Sequence, residues 1–203
     1  MSLASVSLAR SGGATSPPAE ARVSPAVLDF AQVYDAHVDL VWRALRRFGV
    51  AEASLEDATQ DVFLVVHRRL AEFEGRSSVS TWLYGIAVGV ARNHRRTRRR
   101  RPEQPTEGVE DELVAHGASP ERSASDRETV RMLDALLGEL DADKREVFVL
   151  AELEELTAPE IGAALGLNVN TVYTRLRAAR AAFEQALARL RAREQDEEGR
   201  VGP

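Results

Sequence analysis

The 203-residue chain is 44% hydrophobic and 29% charged, which excludes a disordered chain and a membrane chain and leaves room for one or two domains with a real core. It has no cysteine, so disulfide scaffolds, thiolate zinc sites and cysteine nucleophiles fall away; the four histidines, His37, His67, His94 and His116, lack the spacing of metal ligands. The net charge of −5 argues against nucleic acid as a partner, but its distribution argues for it: residues 25–101 carry +4, residues 102–160 carry −12 and residues 161–193 carry +5.

Residues 1–25 are rich in Ser, Gly, Ala and Pro and read as a disordered tail. No apolar segment suited to a secretory signal lies in it. Helical periodicity begins at Leu28, with Phe30, Val33, Tyr34, His37, Val41, Leu45 and Phe48 on one face and Gly49 as the stop. Ser54, with Asp57 three residues on, reads as the start of a second helix. Its stripe is Ala58, Val62, Val65, Val66, Leu70 and Phe73, ended by Gly75. After a serine-rich loop, Ser80 or Thr81 is positioned to cap a third helix with Trp82, Leu83, Ile86, Ala87 and Val90 inward. The longest nearly apolar run, Leu83 to Ala91, is far too short to span a bilayer.

The third helix runs into Arg92–Arg101, ten residues with seven arginines and no acid. Of the 27 basic residues, Lys144 is the only lysine, and arginine's planar fork suits phosphates and guanine edges. A solvated helix in an arginine-biased chain is the plainer reading of that run. Residues 102–126 hold prolines, glycines and many acids without a helical stripe, the pattern of an extended acidic linker. Order resumes with Val130, Leu133, Leu137 and Leu140; Asp141 and Asp143 then favour a new helix start with Val147, Leu150 and Leu153 behind it.

The segment from Thr157 carries the most information. Thr157 and Glu160 form a capping box, Pro159 is tolerated in the first turn, and Ile161, Ala164 and Leu165 give a short apolar face. Gly166 closes that helix, Leu167 plugs the turn, and Asn168 caps a long helix carrying Val172, Leu176, Ala179, Phe183, Leu187 and Leu190 on one side. A short helix, a glycine turn and a second helix with a basic outer face make a helix-turn-helix, whose second helix enters the major groove by its N-terminal part. The candidate groove residues are Asn170, Thr171, Tyr173, Thr174, Arg175, Arg177 and Arg180. An antiparallel helical hairpin with a solvated face is the alternative. The fold expected is all-α, two small helical domains joined by a flexible linker, with a disordered tail at 194–203.

These residues resemble a family. Glu56-Asp57-Ala58-Thr59-Gln60-Asp61-Val62-Phe63, Ser80-Thr81-Trp82-Leu83-Tyr84-Gly85-Ile86-Ala87 and the stretch Thr157 to Leu176 look like the RNA polymerase sigma factors of the extracytoplasmic-function (ECF) type. The resemblance implies region 2 at residues 26–101, for the polymerase core and the −10 element, and region 4 at 127–193, for the −35 element. It implies that Asp57, Gln60 and Asp61, with Arg68 and Arg69 as weaker candidates, dock on the β′ coiled coil, a second contact being the β flap. It implies a −10 surface at Arg76, Ser77, Ser78 and Val79 in the loop and Arg92, Asn93, Arg95 and Arg96 on the helix, where flipped bases are captured and stacked. It further implies promoter DNA and an anti-sigma factor as partners, a cytoplasmic location, and no catalytic residue, cofactor or metal.

The sequence departs from the family pattern at Val88-Gly89, where many members carry Arg-Asn, at Asn93, where they carry Asp, and at Tyr173, which replaces a cation. Promoter preference is therefore not carried over. The rival readings are a helix-turn-helix regulator with a sensing or dimerising N-terminal half, and a sigma-like decoy that binds a regulator without promoting transcription. An enzyme would need a converging nucleophile, base or phosphate loop, and none is found. The reading requires that residues 28–100 and 127–192 not fuse into a single globule that buries the outward side of the segment from Val169.

Overall fold

A computed structural model describes residues 28–100 and 124–200, all of them helix or connecting turn. Residues 1–27, which include the expected tail (1–25), residues 101–123, which hold all but the last three residues of the expected linker (102–126), and residues 201–203 lie outside the described residues. Three helices make the first half: α1 (Phe30–Arg47), α2 (Leu55–Arg69) and α3 (Val79–Arg100). Four make the second: α4 (Ala124–Gly138), α5 (Ala142–Phe148), α6 (Ala158–Leu165) and α7 (Val169–Arg200).

The stripes seen in the sequence become the core of the first half. Val33, Val41, Ala44, Leu45 and Phe48 of α1 and its end meet Leu55, Ala58, Val62, Phe63 and Val66 of α2 and Leu83, Ile86, Ala87 and Ala91 of α3. Removing these apolar surfaces from water drives the assembly, at about 25 cal/mol per Å². Tyr34 lies at the edge of this core, 40% exposed, in an aromatic group with Phe30, Phe63 and His67. Asp29 caps α1 through the backbone N–H of Gln32, and Gly49 (φ +84°) takes the left-handed conformation just past its end.

Two caps differ from the sequence expectation. Ser54 makes no capping hydrogen bond, because residues 52–54 form a 3₁₀ turn that leads directly into α2. Ser78, not Ser80 or Thr81, serves α3: its Oγ accepts the Thr81 N–H at 3.1 Å and meets the Thr81 hydroxyl at 2.9 Å. Trp82 is only partly buried and packs on Phe73, ring centroids 5.1 Å apart.

In the second half, Asp141 caps α5, which continues into a π-helical turn at Val149–Leu153. The capping box opens α6 as read: the Glu160 carboxylate accepts from the Thr157 N–H at 2.8 Å and from its hydroxyl at 2.6 Å. Gly166 (φ +67°) closes α6, and the Asn168 side chain accepts the Asn170 N–H at 2.9 Å to open α7. Gly162 lets the turn come close, since a Cβ there would lie 2.9 Å from the Leu167 carbonyl oxygen. Val172, Leu176, Ala179 and Ala186 of α7 face inward, and Phe183 stacks on Phe148 at 4.6 Å.

The halves do not stand apart. Helix α6 lies on α3, α4 touches α1, and the buried residues of both halves form one continuous core. Gly85 makes the α3–α6 approach possible: a Cβ there would lie 3.0 Å from the Ala164 carbonyl oxygen. The outward side of α7 nevertheless stays open, with Asn170, Tyr173, Thr174 and Arg177 exposed.

Candidate nucleic-acid and polymerase interfaces

The first candidate surface is the start of α7. Tyr173 is 59% exposed, and Asn170, Thr174 and Arg177 are exposed beside it, with Thr171 half-buried. The Thr174 hydroxyl donates to the Asn170 carbonyl at 2.9 Å, which uses its proton within the helix. Arg175 pairs with Asp143 at 3.0 Å and Arg180 with Glu152 at 2.6 Å, so acids of the second half already hold both cations. Arg177 has no ion pair among the described residues. Seated behind the capped α6 and its glycine turn, this face has the geometry of a groove-reading helix.

The second surface is α2. Asp57, Gln60 and Asp61 are exposed on one side of the helix, with Leu64 (47% exposed) and Arg68 further along the same side. His94 of α3 reaches Asp61 at 2.9 Å. Asp61, Leu64, Val65 and Arg68 form one wall of an open groove whose other wall is Gly89, Val90 and Asn93. The structure thus gathers the residues assigned to polymerase docking on one solvent-facing side.

The third surface, proposed for the −10 element, is divided. Arg76 is free in the loop apart from an ion pair with Glu74, and Asn93 and Arg96 are exposed and bonded to each other at 3.0 Å. Ser77 lines a groove shared with Thr81, Trp82 and Gly85 of the first half and Ala163 and Ala164 of α6. Ser78 is committed to the cap, and Val79 is half-buried. Arg92 and Arg95 both turn to Glu146 of α5. The Arg92 Nη2 donates to one carboxylate oxygen at 2.6 Å and the Arg95 Nη2 to the other at 2.6 Å, while the Arg92 Nε lies 3.1 Å from both. The carboxylate raises the Arg92 pKa chiefly through these hydrogen bonds.

Sequence reading missed Glu146 as a buried residue, although Leu150 and Leu153 follow it at helical spacing and mark its face as apolar. It also missed the neighbours that complete the junction. Glu154 accepts from Arg47 at 2.6 Å and from the Tyr84 hydroxyl, whose pKa burial pushes well above its ordinary value. Arg46 donates to Asp134 at 2.8 Å. Arg145 reaches over Gly49, and its Nε is buried without a hydrogen-bond partner.

Fold and surfaces together define an all-helical protein with a helix-turn-helix in its second half and a basic third helix in its first. Comparison with known proteins makes the class particular. Residues 33–101 match the family model for sigma-70 region 2, and residues 131–183 match that for sigma-70 region 4. The sigma factor NccH of Alcaligenes xylosoxydans xylosoxydans is 31% identical over 154 residues, covering 75% of this chain and 83% of that one. CnrH of Cupriavidus metallidurans is 31% identical over 164 residues, covering 78% and 86%. Among solved structures, CnrH bound to the cytosolic domain of CnrY superposes with a TM-score of 0.58 at 28% identity, over 78% of this chain and 87% of that one. A sigma factor RpoE from Bartonella quintana, at 23% identity and a TM-score of 0.61 over 79% of this chain and 97% of that one, shares the fold. The chain belongs to the sigma-70 family and is an ECF-type RNA polymerase sigma factor, a promoter-directing subunit of transcription initiation. Among its described residues no helix is long and apolar enough to cross a membrane.

Proposed function

We propose that this sigma factor divides its work as its two halves suggest, with residues 26–101 engaging polymerase core and the −10 element and residues 127–193 the −35 element. Asp57, Gln60 and Asp61 dock on the β′ coiled coil, and the second half engages the β flap. Asn170, Thr171, Tyr173, Thr174, Arg175, Arg177 and Arg180 face the −35 duplex; Arg76, Ser77, Ser78, Val79, Arg92, Asn93, Arg95 and Arg96 form the −10 surface. An arginine in the groove takes guanine bidentately, worth about 1–3 kcal/mol of discrimination. The chain works in the cytoplasm and contributes no catalytic group, bond formation belonging to the polymerase. CnrH is seen with the cytosolic domain of CnrY, and by that likeness an anti-sigma partner holds this chain before use.

The observation that carries the reading is the exposed face formed by Asn170, Tyr173, Thr174 and Arg177 at the start of α7, behind a capped α6 and a glycine turn. The test is transcription. Purified chain with core polymerase should give discrete transcripts from a genomic template library, and core alone should not. A mixture that binds core yet stays silent would leave the decoy reading standing.

A further inference from the structure

Three consecutive residues of α3 turn to three different neighbours, because each step along a helix rotates the side chain by about 100°. Asn93 is exposed and bonded to Arg96, Arg95 turns to Glu146, and His94 between them turns to α2. The His94 Nε2 meets the Asp61 Oδ2 at 2.9 Å. A carboxylate can only accept, so the ring nitrogen carries the proton and donates. Asp57, Gln60 and Asp61 share the exposed docking side of α2, and among the described residues Asp61 alone of the three is held by another side chain.

The contact does little for the fold itself. The Asp61 side chain is half exposed, and a pair so open to water is largely offset by hydration. Its effect falls on Asp61. An untethered aspartate samples several rotamers and must be ordered when a partner binds, whereas one already bonded to α3 has met that cost in the free protein. Asp61 also stands at the rim of the groove between α2 and α3, with the exposed Leu64 in the same wall. The bond therefore aims a charge at the edge of an apolar contact, where direction decides which cation it meets. We propose that His94 is a positioning residue for polymerase docking, donating to Asp61 and holding its carboxylate ready for a cation on the core enzyme. The inference rests on the assignment of Asp61 to that docking.

Two substitutions separate the donor from the ring. His94→Gln keeps an N–H near the reach of Nε2 and gives up the ring; His94→Phe keeps the ring's bulk and gives up the donor. The affinity of the full chain for core polymerase is measured by fluorescence anisotropy, with each variant's melting followed by circular dichroism. His94→Phe should bind core about three- to tenfold more weakly than the native chain, and His94→Gln within about twofold of it, with melting temperatures little changed. Should Phe crowd the helices and unfold the chain, His94→Ala serves as the donorless variant. Asp61→Asn, which tests the docking assignment by itself, should lose about tenfold. Adding His94→Phe to Asp61→Asn should cost nothing further, since the two act through one carboxylate. Affinity that follows the ring, kept by Phe and lost with Gln, makes His94 a packing residue and overturns the inference, as does full additivity in the double variant. A loss in Asp61→Asn with native binding in both His94 variants overturns the positioning role and leaves docking standing. Native binding by Asp61→Asn removes the docking assignment and the positioning role with it.

Discussion

On the outward side of α7, three arginines close in sequence have different standing. Arg177 is exposed and unpaired among the described residues, whereas Arg175 and Arg180 are held by Asp143 and Glu152. A paired arginine must exchange one partner for another to reach DNA, so its net gain is smaller. Arg177→Ala should weaken binding of a −35 duplex by about 1–3 kcal/mol, roughly five- to 150-fold, and leave polymerase core binding intact. Fluorescence anisotropy with labelled duplex and a core pull-down read the two separately; equal loss of both would mean the residue is structural. If Arg177 meets a phosphate and not a base, the salt slope should also fall by about 0.9. Tyr173, 59% exposed where a cation is common in the family, adds area without charge and so no salt dependence. These roles were legible as exposure, since Val172, Leu176 and Ala179 fix which side of the helix turns outward. Which arginines are already paired was not legible, because Asp143 and Glu152 approach from elements distant in sequence.

At the scale of the element, the helix-turn-helix was the most legible part of the chain, because its signals are local. Thr157 and Glu160 lie three residues apart, Gly166 needs a positive φ, and Asn168 reaches only two residues ahead. Ser78 escaped because Ser77, Ser78, Ser80 and Thr81 all offer hydroxyls, and only the backbone path selects among them. The role of Gly162 was hidden for a different reason. Nothing in a run of small residues says that the Leu167 carbonyl will pass 2.9 Å from its missing Cβ. Gly162→Ala raises intrinsic helix propensity by about 1 kcal/mol, yet the contact is with backbone and cannot be relieved by rotating a side chain. The variant should therefore lower thermal stability and weaken duplex binding together, as the turn shifts and re-aims α7. Calorimetry and anisotropy on one sample check it; a stabilised variant with full binding would show the turn can absorb the methyl group.

The whole molecule is where the sequence was least informative. Two halves with their own stripes were legible, but their packing on one another depends on pairs such as Arg92 and Glu146, 54 residues apart, and on α6 approaching Gly85. Periodicity reports which face is apolar, not which partner covers it. The Gly85 contact gives this docking a steric test independent of charge. Gly85→Leu should drive α6 off α3, because the Ala164 backbone cannot yield. Hydrogen exchange should then quicken along the α3 face under α6 while far-ultraviolet dichroism holds; unchanged protection would mean the halves are joined by other contacts alone.

The Arg145 guanidinium occupies the space where a side chain at position 49 would sit, and the +84° φ of Gly49 disfavours any replacement. The two positions are thereby tied across nearly a hundred residues of chain. Bulk at 49 would therefore push the Arg145 guanidinium out of its seat in the seam and strain the backbone at a positive φ as well.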